Sequence, residues 1–225
     1  ALVTAAVPVA AQAVADNTRN VVSHLCNLLA MGSLRFSFGT MSSGKSTLAL
    51  QIHHNLSGTS TGLLCSMHDR AGAQVSSALG VSTPAIEVDP ALNFESLALS
   101  HLASYGALDY LVCDEAQFYT DSQVEQLARV VDEMDVDVYA FGLLTDFRGK
   151  LFPGSARLLE IADQRHELQV QARCWCGEPA THNARLHDGV QVYDGDVVLI
   201  DDGSTAKVTY ELRCRNHWIS GQAGP

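Results

Sequence analysis

Leu34-Arg-Phe-Ser-Phe-Gly-Thr-Met-Ser-Ser-Gly-Lys-Ser-Thr47 is the stretch that decides the fold of this 225-residue chain. Its apolar start, residues 34–38, predicts a buried strand, and the apolar residues that recur at helical spacing after it predict a helix. Between them stands Gly-x4-Gly-Lys-Ser, the pattern of a phosphate-binding loop. Glycines there let the backbone approach phosphate oxygens, and amides at the helix N-terminus point at the anion. The flanking strand and helix favour this interpretation over a Gly/Ser-rich surface turn.

The same loop carries a charged group and a hydroxyl that suit a nucleotide. Lys45 can reach the outer phosphates as a point charge, and the Ser46 hydroxyl can complete a Mg²⁺ shell. The predicted ATP-binding residues are therefore the loop and the start of the helix: Gly39, Thr40, Met41, Ser42, Ser43, Gly44, Lys45, Ser46 and Thr47.

Composition restricts the partners of the chain. It has 14 basic and 25 acidic residues, a formal net charge of −11 and only three lysines. Such a chain repels polyanions, so we expect it not to bind nucleic-acid polymers. No stretch predicts a membrane helix, and the cysteines are not spaced as a disulfide framework, so a reducing, cytoplasmic location is expected. Residues 1–30 have no basic segment ahead of their apolar run and are interpreted as a disordered or non-native leader.

From residue 31 onward, predicted strands alternate with predicted helices. This order predicts an α/β fold, a RecA-like P-loop domain over residues 31–173 with helices on both faces of a parallel sheet. Ligands are then expected beyond the carboxyl ends of the strands, where Gly39, Asp114 and Gly142 fall. A small β lobe, residues 174–221, and a tail, 222–225, complete the predicted organisation. Strands are predicted at 34–38, 61–67, 85–88, 108–113, 136–142 and 167–172, helices at 44–56, 93–105, 121–134 and 155–163, and a loop with a short helix at 68–83.

An acidic pair, Asp114-Glu115, follows the buried strand at 108–113. Asp114 can hold Mg²⁺ directly or through water, as acidic residues at strand ends do in P-loop proteins. Glu115 then points elsewhere and can act on a second reactant. The alternative is a pair of solvated carboxylates, which the phosphate-binding loop in the same chain disfavours.

Cysteine and histidine near the C-terminus have the composition of a zinc site. Cys174-x-Cys176 and Cys214-x2-His217 offer three thiolates and one imidazole, a tetrahedral Zn²⁺ set. Four protein ligands leave no open position, so such an ion would stabilise the lobe and not catalyse. Two unrelated thiol pairs, or a packed histidine at position 217, are the alternatives.

Phenylalanines follow the strand at 136–142 and face the predicted ligand edge of the sheet. In the segment 142–152, Phe147 and Phe152 are candidates for enclosing a flat ring. Two hydrophobic anchors of an ordinary loop are the alternative.

Taken together, these motifs resemble the zinc-containing thymidine kinases, the type found in the human cytosol and in many bacteria. The resemblance covers about residues 33–221 and rests on Gly39-Thr-Met-Ser-Ser-Gly-Lys-Ser46, Asp114-Glu-Ala-Gln-Phe118, Gly142-Leu-Leu-Thr-Asp-Phe-Arg-Gly149, the two metal-ligand pairs and Tyr210-Glu-Leu-Arg-Cys214. It implies ATP- and Mg²⁺-dependent phosphorylation of thymidine, and of deoxyuridine, at the 5′-hydroxyl. It also implies that Glu115 is the general base, and that Lys45 and Mg²⁺, held by Ser46 and Asp114, stabilise the γ-phosphoryl group.

The resemblance further implies a nucleoside pocket that is covered by a long "lasso" loop between residues 186 and 210. Members of the family are commonly homotetramers inhibited by thymidine triphosphate, so both properties are expected here. The nucleoside-binding residues that the resemblance implies are Met41, Asp69, Gln117, Phe118, Leu143, Phe147, Phe152, Val198, Ile200 and Tyr210.

Three stretches depart from the family pattern: the Cys-x-Cys spacing is one residue tighter than usual, residues 201–208 are longer, and residues 1–30 match nothing. Two other functions are weighed against the kinase. A P-loop ATPase with a zinc ribbon that acts on DNA is disfavoured by the negative charge. A catalytically silent nucleotide-binding relative is disfavoured because Lys45, Ser46, Asp114 and Glu115 are all present.

Overall fold

The computed structural model describes residues 31–67, 74–168, 171–197, 207–222 and 224. The predicted leader, residues 1–30, lies outside them, as does the stretch 198–206 of the predicted lasso. Six strands form the main sheet: β1 (Leu34–Gly39), β2 (Gly62–Ser66), β5 (Ile86–Glu87), β6 (Tyr110–Asp114), β7 (Asp137–Leu143) and β8 (Gln164–Glu167). Their order is β5-β2-β6-β7-β1-β8, and all neighbours are parallel. The predicted parallel α/β sheet is confirmed.

Helices cover both faces of this sheet, because β2, β6 and β7 carry buried apolar residues on both sides. One face packs against α2 (Phe94–Tyr105), α3 (Asp121–Met134) and α4 (Pro153–Ile161), which bury a continuous core. The other face packs against α1 (Lys45–Leu56), whose Ala49 and Leu50 meet Tyr110 and Phe141. Burial of the two faces therefore fixes the phosphate-binding loop, which joins β1 to α1, at the edge of the sheet.

In helix α3 the signals at both ends and the apolar stripe agree, so the sequence predicted its first and last residues correctly. Thr120 caps it through a bond from the Gln123 amide, and the Gln123 side chain bonds back, which makes a capping box. Val124, Leu127 and Val131 then form the buried stripe, and Asp135, at φ 57°, ends the helix. The predicted span 121–134 is confirmed.

Two predicted elements differ in the structure. Within the described part of the stretch 68–83 there is no helix; β3 (Gln74–Ser76) and β4 (Ser82–Pro84) form an antiparallel hairpin there. A turn at Gly80, φ 82°, and burial of Val75 stabilise the hairpin. Strand β8 begins at 164 and not at 167, because it pairs with β1 from Arg35↔Gln164 to Phe38↔Glu167. All four of its residues are exposed, so it carries no hydrophobic signal.

The C-terminal lobe contains β9 (His182–His187), β10 (Val190–Val192), β11 (Val208–Arg213) and α5 (Arg215–Ser220). The strands form a small antiparallel sheet in the order β10-β9-β11. Helix α5 was not predicted from the sequence, because at six residues it is too short to show periodicity. The division of the chain at residue 173 stays a prediction. Among the described residues, no helix has the length and hydrophobicity needed to cross a membrane.

Candidate active site

Three strand ends meet at one edge of the main sheet. In the parallel register Phe38 lies beside Gly142 and Gly39 beside Leu143, while β6, next to β7, ends at Asp114. The predicted convergence of Gly39, Asp114 and Gly142 is therefore confirmed.

The phosphate-binding loop has the backbone that its glycines predict. A Cβ on Gly39 would lie 2.5 Å from the Ser43 hydroxyl oxygen, so no larger residue fits there without a shift. Ser42 and Gly44 have φ values of 58° and 80°, which turn the chain back on itself before α1 begins at Lys45.

Lys45 is folded into the loop. Its ammonium donates to the Thr40 carbonyl at 2.7 Å and lies 3.4 Å from the Ser43 hydroxyl oxygen. Burial lowers the pKa of Lys45, and the nearby negative charges of Glu115 and Asp114 offset part of that effect. The lysine and the two carboxylates thus form one electrostatic cluster. Phosphate oxygens could take the place of the Thr40 and Ser43 oxygens as partners of the Lys45 ammonium.

Glu115 follows β6 in a left-handed backbone conformation, with φ 54°. Such a conformation costs a non-glycine residue roughly 1–3 kcal/mol and is found preferentially at functional sites. The chain continues as a 3₁₀ turn, Ala116–Phe118. The left-handed residue therefore breaks the strand at the position where the acidic pair stands.

Gln117 holds the Glu115 carboxylate in place. It is fully buried, and its Nε2 donates to Oε2 of Glu115 at 2.5 Å. Its Oε1 accepts from the Leu143 amide at 3.0 Å, so the end of β7 orients the glutamine. A Cβ on Gly142 would lie 2.8 Å from that same oxygen, which explains the glycine. The described bonds of Gln117 go to Glu115 and Leu143, and a contact of Gln117 with a nucleoside stays a prediction.

The four predicted metal ligands lie together in the C-terminal lobe. The ligand atoms of Cys174, Cys176, Cys214 and His217 all lie within 4.8 Å of one another. Nδ1 of His217 is 3.4 Å from the Cys174 sulfur and 3.3 Å from the Cys214 sulfur, and the sulfurs of Cys176 and Cys214 are 3.9 Å apart.

These separations fit a tetrahedral zinc ion. Bonds of about 2.3 Å to sulfur and about 2.0 Å to nitrogen imply edges of about 3.8 Å between sulfurs and about 3.5 Å between sulfur and nitrogen. Burial raises the pKa of the Cys174 thiol, but hydrogen bonds from the Cys176 and Cys214 backbone and from His217 outweigh it and lower the pKa to about 6. The donor set and its geometry therefore suit Zn²⁺, and the tight Cys-x-Cys spacing does not prevent the cluster from forming.

Comparison with known proteins identifies relatives of this chain. The family profile described as thymidine kinase matches residues 32–218. A thymidine kinase of Cutibacterium acnes is 50% identical over 197 residues, which are 86% of this chain and 91% of that protein. One of Streptomyces coelicolor is 51% identical over 191 residues, 83% and 88% of the two chains, and one of Ruegeria pomeroyi is 40% identical over 200, 87% and 98%.

The chain belongs to the thymidine kinase family. Of the nucleoside-binding residues that this resemblance implied, Asp69, Val198 and Ile200 lie outside the described residues. Phe118 and Phe152 meet edge to face, with ring centroids 5.5 Å apart. Phe147 is also buried, and Met41, Leu143 and Tyr210 are half-buried.

The turn that carries Phe147 is built around Asp146. The carboxylate is buried, and it accepts from the amides of Arg148 and Lys150 at 2.9 and 3.0 Å. Its second oxygen lies 2.6 Å from the Arg148 guanidinium. Trp218 of the lobe donates from Nε1 to the Phe147 carbonyl at 3.1 Å, which ties the turn to α5. The segment 143–152 of this thymidine kinase family member is thus fixed from both sides.

Two residues that sequence reasoning missed connect the lobe to this edge. Asn183 of β9 accepts from the Met41 amide at 2.9 Å, a contact between the lobe and the phosphate-binding loop. Arg185, two residues on and on the same face of β9, is buried against Phe147. Neither belongs to a motif, and only the alternation of β9 could have suggested that both face inward.

Proposed function

We propose that the protein is an ATP- and Mg²⁺-dependent thymidine kinase that phosphorylates thymidine, and also deoxyuridine, at the 5′-hydroxyl. The observation that carries this proposal is the electrostatic cluster of Lys45, Asp114 and Glu115 beside a phosphate-binding loop, in a chain of the thymidine kinase family. Phosphoryl transfer needs positioned charges more than covalent chemistry, and this cluster provides them.

In the proposed reaction Glu115 takes the proton from the nucleoside 5′-hydroxyl. The hydroxyl oxygen forms a bond to the γ-phosphorus of ATP while the bond from that phosphorus to the β–γ bridging oxygen breaks. Thymidine monophosphate and ADP are the products. Lys45 leaves the Thr40 carbonyl for the outer phosphates and stabilises the charge in flight. Gln117 acts through Glu115 as a positioning residue.

Ser46 and Asp114 are the residues that we propose to hold Mg²⁺. Both offer oxygen, the ligand type that this ion takes, and Asp114 is buried at the end of β6 while Ser46 lies in the first turn of α1. When bound, the ion neutralises charge on the β- and γ-phosphate oxygens.

The thymine pocket is proposed to lie on the aromatic cluster of Phe118 and Phe152. Aromatic faces enclose a flat base, and their proximity to the Glu115 turn supports this location. Met41, Leu143, Phe147 and Tyr210 complete the proposed wall, with Asp69 for the sugar and Val198 and Ile200 as the lasso contacts.

Further properties follow as proposals from family membership. We propose a structural Zn²⁺ at Cys174, Cys176, Cys214 and His217, which the cluster geometry supports. We also propose a homotetramer, feedback inhibition by thymidine triphosphate, and a cytoplasmic location for this salvage reaction.

A screen of ADP release across the deoxynucleosides tests the proposed function. We expect turnover with thymidine and deoxyuridine, with product mass showing one added phosphoryl group, and loss of that turnover in Glu115→Gln. ATP hydrolysis that needs DNA and no nucleoside would instead support the zinc-ribbon ATPase.

A further inference from the structure

Arg185 is a buried cation whose described hydrogen-bond partners are all neutral. Only 3% of the residue is exposed. Its Nε donates to the Tyr210 hydroxyl oxygen at 3.0 Å, and its two terminal nitrogens donate to the carbonyls of Asp196 and Val197 at 2.5 and 2.8 Å. Burying a charge is expensive unless its partners compensate it, so a guanidinium in this position calls for a role.

The guanidinium also lies over the ring of Phe147 and near that of Tyr210. Its central carbon is 3.7 Å from the centroid of the Phe147 ring and 5.5 Å from that of Tyr210. Tyr210 stands directly opposite Arg185 in the β9–β11 pairing. The arginine therefore joins a residue of the main domain to one of the lobe, and attraction between the cation and the Phe147 ring stabilises that contact.

The two carbonyls belong to the described part of the predicted lasso. Asp196 and Val197 immediately precede position 198, and they are exposed and half-buried respectively. Arg148 reaches the neighbouring Gly195 carbonyl at 3.5 Å. The planar guanidinium suits three divergent acceptors, because its donors have a fixed fork geometry that a lysine cannot reproduce.

We propose that Arg185 is a positioning residue for nucleoside selection. It fixes the Phe147 and Tyr210 rings and holds the backbone at Asp196 and Val197, so that a pyrimidine nucleoside meets a preformed wall. This inference rests on the proposed function, since it assigns Arg185 to the thymidine side of the reaction. Asn183, on the same face of β9, contacts the phosphate-binding loop instead. Mutation of Arg185 alone can therefore separate an effect on nucleoside binding from an effect on ATP binding.

The test compares Arg185→Met and Arg185→Lys with wild type, with Arg215→Met as the matched control because Arg215 is an exposed arginine of the same lobe. We expect Arg185→Met to raise KM for thymidine about tenfold, equivalent to about 1.4 kcal/mol, and to leave KM for ATP within about twofold. Selectivity for thymidine over deoxycytidine should fall in the same variant. Arg185→Lys should be intermediate, because it keeps a charge against Phe147 but loses the fork.

An equal rise of both KM values, or unchanged kinetics in a folded Arg185→Met protein with full zinc content, would overturn the inference. If Arg185→Met does not fold, Arg185→Lys decides by the same comparison of the two KM values.

Hydrogen exchange in the substrate-free protein separates this inference from the proposed function. A peptide covering 190–197 should exchange faster in Arg185→Met than in wild type or Arg215→Met, and this result does not depend on which substrate the enzyme uses. An unchanged exchange rate would contradict the proposal that Arg185 holds this segment. Absence of wild-type turnover with every deoxynucleoside would instead contradict the proposed function.

Discussion

At the scale of single residues, the glutamate after β6 carries the sharpest prediction. Replacing Glu115 by Gln removes the base but keeps the size of the side chain. We expect kcat to fall by about 10²–10⁴-fold, the range that general base catalysis contributes. ATP binding should persist, because Lys45 and the loop amides do not depend on Glu115 for their geometry. Steady-state kinetics with titration calorimetry of ATP measures both quantities, and near-normal turnover would remove Glu115 from the role.

The Gln117 amide offers a second prediction at this scale. Gln117→Leu keeps the buried volume but removes the bonds to Glu115 and to the Leu143 amide. We expect kcat to fall by about tenfold or more, corresponding to at least about 1.4 kcal/mol, with a smaller change in KM for ATP. Gln51→Leu is the control, because Gln51 is exposed on α1 and bonds only to Asn55 among its described contacts. Equal kinetics for the two variants would contradict a positioning role.

Residues with a role in a local motif could be recognised from the sequence, whereas the partners that a side chain takes across the fold could not. Lys45 and Glu115 stand in short patterns whose chemistry is readable along the chain. The amide of Gln117 and the guanidinium of Arg185 act on partners up to 38 positions away, Phe147 for Arg185 and Leu143 for Gln117. Their partners depend on which strands become neighbours, and strand order is a property of the tertiary structure that no local sequence pattern reveals.

At the scale of elements, the contact between α4 and the 3₁₀ turn after Glu115 is unusually close. A Cβ on Gly154 would lie 2.4 Å from the Ala116 carbonyl oxygen and 3.0 Å from that of Gln117. Gly154→Ala should therefore push α4 from the turn and lower the free energy of unfolding by about 1–3 kcal/mol. It should also lower kcat, because the turn carries Gln117.

Gly58→Ala is the control for this prediction, since the nearest atom to its added Cβ would be 3.9 Å away. Chemical denaturation and steady-state kinetics measure the two effects. A Gly154→Ala protein as stable and active as Gly58→Ala would show that α4 and the turn can separate freely.

Elements were predictable from the sequence where amphipathic patterning and caps agreed, as in α3. Prediction failed where the structure depends on pairing. The β3–β4 hairpin contains one buried apolar residue, Val75, and β8 contains none, so no alternation marked either. Their positions follow from the Gly80 turn and from the register with β1.

At the scale of the whole molecule, the proposed zinc site in the lobe is connected to the segment that carries Phe147. Trp218, next to His217, bonds to the Phe147 carbonyl and stacks on His182 at 4.6 Å. Cys214→Ser should therefore loosen the lobe and raise KM for thymidine before KM for ATP. Metal analysis and steady-state kinetics check this, and full zinc content with unchanged kinetics would count against it.

Metal removal gives a prediction with a defined pH dependence. Because the pKa of Cys174 is lowered to about 6, its thiolate forms as pH rises through about 6 in the metal-free protein. Alkylation of Cys174 should accelerate over that range, since the thiolate is the nucleophile, and added Zn²⁺ should block it. Cys113 should remain unmodified with or without metal, because its hydrogen bond with Cys65 and its burial raise the pKa of its thiol well above the ordinary value. Peptide mapping measures each site, and alkylation of Cys174 that zinc does not slow would contradict the proposed site.

The two outermost strands of the main sheet limit how copies of the chain can join. β5 is only two residues long, and β8 presents Gln, Arg, His and Glu to solvent. A short edge strand and charged side chains on an edge strand both disfavour main-chain pairing with a second molecule. A tetramer of this protein would accordingly assemble through helix faces or through the C-terminal lobe, and the sheet would end within each subunit.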